Sequence, residues 1–170
     1  MTRCEECGFE YAQVPASELS GALQALGVGY RNALSRAGDG RAVLSARPSP
    51  ETWSALEYAC HVRDVLLAQR DRVLLALVEP CPTFASTYPD QRVSLARYNS
   101  ENPLVVVEEI AMAARLISRV YAAMTPGQLA RTGIYNYPEP MERDLIWVGQ
   151  HTVHEGRHHL RDIERGLMAI

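Results

Sequence analysis

The five histidines of the chain are unevenly spread: His61 stands alone, while His151, His154, His158 and His159 share one short stretch, HTVHEGRHH. On a helix, side chains four residues apart lie above one another, so His154 and His158 converge on one point, as a pair of metal ligands must. His151 comes three residues earlier, near the same face. His159 is turned about 100° from His158 and is expected to lie outside. Two ligands are too few for zinc, which takes three protein ligands in catalytic sites and four in structural ones. The third candidate is His61, set in an apolar stretch, ALEYACHVRDVLL, where an unpaired imidazole costs free energy. If its helix neighbours the last one, the two close a three-His site.

The run His154-Glu155-Gly156-Arg157-His158 also spells H-E-x-x-H, in which the Glu serves as general base beside a zinc held by the two His. Glu155, with His151 beside it, is therefore a candidate catalytic group. The longer protease signature is not met, because Arg161 and Glu164 stand where a further Gly and His are required. Imidazole ligands are usually oriented by carboxylates. Asp64, three residues after His61, and Asp162, four after His158, are placed for that work, and Tyr58, three before His61, approaches the same face. Cys4-Glu5-Glu6-Cys7 is a C-x-x-C pair, open to a metal role, a redox role or neither. A zinc ribbon would need a second such pair, and Cys60 and Cys81 are too far apart to form one. Cys60 reads as a small buried apolar residue.

Four helices are needed to position these groups. The first is expected over residues 17–36, weakened by Gly27 and Gly29. The second is expected from Ser49, with Pro50 and Glu51 in its first turn, to Val78, before Pro80 and Pro82. A long connection over residues 79–101, with a helical turn near Leu95, leads to Asn102 and Pro103, which open a third helix ending near Met124. A turn at Gln128 to Ala130 and an extended piece from Ile134 to Tyr137 precede the fourth helix, Glu142 to Gly166. The economical architecture is all-α: one four-helix bundle with a long connection between helices two and three, over residues 17–170, after an N-terminal extension, residues 1–16, that holds the C-x-x-C.

With 17 basic and 20 acidic residues, a net charge of −3 and no basic run, the chain lacks the electrostatic footprint of a nucleic-acid binder. It has no apolar stretch long enough to span a bilayer and no secretory signal pattern, so no membrane partner and a cytoplasmic location are expected. Every basic residue is Arg, which rules out Schiff-base chemistry on a lysine.

Trp53 and His61 in WSALEYACHVRDV, taken with HTVHEGRHHLRDI, resemble the DinB/YfiT-like group of metalloenzymes. The resemblance implies a four-helix bundle in which one side chain of the second helix and two of the last, four residues apart, hold a divalent metal. On this sequence those are His61, His154 and His158. It implies one metal ion, zinc first and nickel, iron, manganese or copper as alternatives. Relatives of the group include mycothiol- and bacillithiol-dependent S-transferases and a maleylpyruvate isomerase. The Arg-only composition resembles that of actinobacteria, whose thiol is mycothiol. The resemblance therefore implies activation of a thiol, with mycothiol as cosubstrate, towards a small electrophile. The alternatives are hydrolysis by water with Glu155 as base, or a non-catalytic metal-binding module. Tyr58 and the loop residues Arg92, Arg97, Tyr98 and Asn99 are the candidate contacts to the small-molecule substrate. A homodimer is compatible with an exposed apolar face on such a bundle.

Overall fold

A computed structural model describes residues 2–35, 40–136 and 139–170. Four long helices dominate it: α1 (Leu19–Ser35), α3 (Ala55–Val78), α5 (Pro103–Ala123) and α7 (Leu145–Ala169). Three short ones lie between them: α2 (Arg41–Ser45), α4 (Pro89–Leu95) and α6 (Pro126–Leu129). The strands β1 (Thr132–Tyr135) and β2 (Met141–Asp144) pair antiparallel, with Gly133 opposite Arg143. α1 packs on α5 and α7, and α3 packs on the same two, so α1 and α3 face each other across the bundle although they are successive long helices. Leu19, Leu23, Leu56, Leu66, Ile110, Ile117, Leu145 and Ile163 fill the space between the four.

Local signals account for where the helices begin. Asn102 caps α5 by accepting from the Leu104 amide at 3.0 Å, with Pro103 in the first turn, as the sequence indicates. The expected start of the second long helix is corrected. Ser49 and Thr52 form a bridge, and the cap is Ser54, whose hydroxyl accepts from Glu57 N while the Glu57 carboxylate accepts from Ser54 N. That reciprocal pair satisfies two orphan amides, and Arg47 holds Glu57 through two nitrogens at 2.8 Å each. The last helix starts three residues later than expected because Met141–Asp144 pairs as a strand and Asp144 then caps α7 through the Trp147 amide at 2.7 Å. Arg36 and Tyr137, expected ends of the first helix and of the extended piece, lie outside the described residues. Among the described residues no helix is long and apolar enough to cross a membrane.

Gly27 does not break α1. It lets α1 approach α5, since a Cβ there would meet Ala111 Cα at 2.9 Å. Gly27→Ala is therefore expected to destabilise the protein by about 1–3 kcal/mol through overpacking, despite its better helix propensity. Gly21→Ala, on the exposed side of the same helix with nothing within 4 Å, is expected to stabilise it by about 0.5–1 kcal/mol. Urea unfolding of the two variants measures the difference in sign.

Candidate metal centre

Because α3 packs on α7, His61 is brought against the histidine cluster, but against a different pair from the one its spacing suggests. Ligand atoms of His61, Glu155 and His159 all lie within 4.8 Å of one another, and the His61 and His159 ring centroids are 5.0 Å apart. His154 and His158 form a separate group with Cys4 and Cys7. The expected set His61, His154 and His158 lines one cavity but does not form a group at this distance, and His159, expected outside, stands with His61 instead. The reason is helix phase. α7 turns Gly156 towards α1 and Gly149 towards Tyr121 of α5 and Leu19 of α1: a Cβ on Gly156 would meet Leu26 at 2.6 Å, one on Gly149 would meet Tyr121 at 2.8 Å, and Tyr30 Oη donates to Gly156 O at 3.0 Å. With Gly156 inward, Glu155 and His159 stand about 60–100° round the helix, on the flank open to α3, while His154 and His158 stand about 160° away from it. The paired glycines, two turns apart, are the sequence signal that could have found this.

The carboxylates are arranged around both groups. Asp162 Oδ2 lies 2.8 Å from His159 Nδ1 and 3.5 Å from His158 Nε2. Its oxygen on Nδ1 leaves His159 Nε2 facing Glu155 Oε2, at 3.8 Å. Glu155 Oε1 lies 3.3 Å from His154 Nδ1 and 3.8 Å from His151 Nε2. Burial would by itself raise the Glu155 carboxyl, but pairing with His154 and the charges of His151 and His159 outweigh it and hold it at about 2. Burial, then neighbouring His159, pushes His61 down to about 4, so this imidazole is neutral with a lone pair to offer. Burial pushes His151 to about 4 as well. Its Nδ1 is 2.8 Å from Tyr11 Oη, and its ring stacks on Trp147 at 4.7 Å. Tyr58 stacks on His159 at 5.1 Å, which orients the imidazole.

The centre lies in the wall of an open cavity of about 450 Å³, whose other walls include Trp53, Gln69, Arg72, Tyr135, Asn136, Arg143 and Trp147. Gln69 Nε2 donates to Tyr135 Oη at 2.8 Å, Arg72 NH1 to the same oxygen at 3.3 Å, and the Arg143 guanidinium lies 4.6 Å over Trp147. The β-hairpin delivers Tyr135 and Arg143 and is tied to the long connection by the Phe84 amide, which donates to Ile134 O at 2.9 Å. Trp53 belongs to the stretch that carries the family resemblance; the other cavity residues do not stand out in the sequence, since each is an ordinary polar or aromatic residue at an unremarkable spacing.

The expected substrate loop is placed elsewhere. Tyr98 is fully buried, and its hydroxyl donates to Asp64 Oδ2 at 2.6 Å. Arg92 pairs with the same oxygen at 3.4 Å, and Asn99 Oδ1 accepts from Ser54 Oγ at 2.6 Å. Arg97 is exposed and marks a left-handed backbone turn, φ 52°, before the 3₁₀ turn Tyr98–Ser100. None of the four lines the cavity. Asp64 is likewise engaged away from His61, with Arg63 Nε at 2.9 Å in addition to Tyr98 and Arg92. It anchors the connection to α3 and does not orient an imidazole. Asp64→Ala is expected to cost about 1–3 kcal/mol, by leaving these donors unpaired, while metal content per folded chain stays unchanged; thermal unfolding and elemental analysis read the two effects separately.

The molecule is thus a four-helix bundle with a cluster of histidines and carboxylates at the edge of an open cavity. The chain belongs to the DinB superfamily, whose sequence model matches residues 30–163. It is similar in structure to YfiT from Bacillus subtilis, described as a probable metal-dependent hydrolase with an unusual four-helix bundle topology. The TM-score is 0.78 at 15% identity, covering 88% of this chain and 84% of that one. No curated protein matches the chain.

Proposed function

We propose that this protein is a metal-dependent hydrolase of small substrates, in which His61, Glu155 and His159 hold one divalent metal. The observation that carries the reading is the donor set itself: two imidazoles and one carboxylate within 4.8 Å of one another beside an open cavity. Two His and one Glu are the ligands of several zinc hydrolases, and the same donors also suit iron(II). The similarity to YfiT, itself described as a probable metal-dependent hydrolase, supports the same class. A metal bound there supplies a Lewis acid that acidifies a coordinated water or thiol.

The chain's own residues do the rest. Glu155 serves as ligand in this reading and leaves the role of base. Asp162 fixes the His159 tautomer and so presents Nε2. His151, neutral and held by Tyr11, lies against Glu155 and steadies the carboxylate. Arg72 and Arg143 place two cations on the cavity wall, which favours a substrate with a carbonyl or anionic group.

The test is elemental analysis of the purified protein, followed by assay against small esters and amides with and without chelator. Hydrolysis lost on chelation and restored by metal is expected. Consumption of mycothiol together with an electrophile, and of no ester or amide, would replace hydrolysis by thiol transfer. A fully loaded protein that turns over neither would leave a binding module. Asp162→Ala is expected to weaken metal binding about 10–100-fold, measured by competition with a chromophoric chelator.

A further inference from the structure

The N-terminal segment is not a loose extension. Residues 2–14 fold back on α7: Arg3 bridges to Glu10, Phe9 packs on His154 with ring centroids 5.3 Å apart, and Cys7, Phe9, Tyr11 and Val14 are buried in the core. This places the C-x-x-C pair against the face of α7 that carries His154 and His158. Ligand atoms of Cys4, Cys7, His154 and His158 all lie within 4.8 Å of one another, and Cys4 Sγ is 3.9 Å from His158 Nδ1. The pairs are Cys-x2-Cys and His-x3-His, the spacings of a Cys2His2 zinc site, here supplied from opposite ends of the chain.

We propose that these four residues form a second metal site, a closed tetrahedral zinc site that clamps the N-terminal segment to α7. Four independent features support it. The turn is closed by backbone: the Cys4 amide donates to Phe9 O at 2.8 Å, the Gly8 amide donates to Cys4 O at 2.9 Å, and Gly8 takes the positive φ of 71° that the reversal needs, which sets the two thiols side by side. Both cysteines are free thiols. Buried His154 makes no well-aligned hydrogen bond through either ring nitrogen, and its polar neighbours are the Glu155 carboxylate, 3.3 Å from Nδ1, and the Cys4 thiol, so the imidazole is free to turn a nitrogen to a metal. His158 turns Nδ1 to the sulfur and Nε2 to carboxylates, Asp162 at 3.5 Å and Glu6 at 3.6 Å, the arrangement that orients a zinc-bound imidazole. A tetrahedral zinc sets its ligand atoms about 3.3–3.8 Å apart, so small side-chain adjustments complete the site.

The site has a consequence for the cavity. Cys4 and Glu6 line it, and Tyr11, carried on the same segment, holds His151 beside Glu155. Zinc at the four residues therefore fixes one wall of the cavity. Asp162 touches both His158 and His159 and links the two sites.

The test is metal stoichiometry on the reduced full chain, with cobalt(II) replacing zinc for spectroscopy. Two equivalents per chain are expected, falling to one in Cys4→Ser/Cys7→Ser and to one in His61→Ala. The cobalt-loaded wild type is expected to show a thiolate-to-cobalt charge-transfer band and the intense visible bands of tetrahedral cobalt. The wild-type spectrum needs no variant and so holds if the double variant fails to fold. Absence of the thiolate band from cobalt-saturated wild type would overturn the proposal, as would unchanged stoichiometry in a folded double variant. A single equivalent lost in the cysteine variant and kept in His61→Ala would support this site and overturn the His61 centre instead.

Discussion

His61→Ala is expected to remove one equivalent of bound metal and all metal-dependent turnover while leaving the fold intact. His61 is the contribution of α3 to the centre, and its ring is buried against Trp53 at 5.2 Å and His159 at 5.0 Å. Truncating it leaves only Glu155 and His159, both on α7, too few donors for a tight site. Removal of a group that merely orients a ligand costs about 10–100-fold in affinity, so loss of a ligand is expected to exceed about 100-fold. The fold should survive, because among the described residues the neutral imidazole makes no hydrogen bond and its ring faces the cavity and is not packed among the leucines and isoleucines that fill the bundle. Competition titration and circular dichroism give the two answers. His158→Ala is the informative control: it should leave the His61 centre loaded. Loss of that centre's metal in His158→Ala, with retention in His159→Ala, would restore the pairing read from the sequence.

Ile110→Ala has the opposite profile. Ile110 is fully buried on α5, the helix that packs against both α1 and α3. Deleting three methyl or methylene groups there removes their transfer free energy and leaves a cavity that two facing helices can only partly close, for a cost of about 2–5 kcal/mol. For a chain of this length that lowers the melting temperature by roughly 5–15 °C. Metal content per folded chain should not change, since α5 supplies no residue to the His61, Glu155 and His159 group. A differential scanning measurement beside elemental analysis separates this variant from His61→Ala.

Much of the architecture is local and was legible. Asn102-Pro103 starts α5 where it reads, and the apolar spacing of Val106, Ile110 and Ile117 marks the side that is buried. Local signals mislead where a nonlocal partner decides. Met141–Asp144 reads as the beginning of a helix until β1 pairs with it, and Ser49-Pro50 reads as a cap until Ser54 and Glu57 make a better one. The polar residues of the connection looked available for substrate, yet Asp64, on α3, gathers Tyr98 and Arg92 into the scaffold.

The order of the residues is enough to gather histidines and carboxylates on one late helix, to set a lone histidine in an apolar stretch of another, and to place a thiol pair at residues 4 and 7. The spacing points to the pair 154/158 and sets His159 outside; the pair 155/159 is equally four apart, and a shift of one residue rotates a helix by only about 100°. Which of these side chains stand together depends on tertiary structure. Gly156 lets α7 press against Leu26 of α1 and Gly149 lets it close on Tyr121 of α5 and Leu19 of α1, which fixes one rotational phase and sets Glu155 and His159 beside His61, and His154 and His158 beside Cys4 and Cys7. A ligand set drawn from both ends of the chain exists only once packing has closed the distance between them.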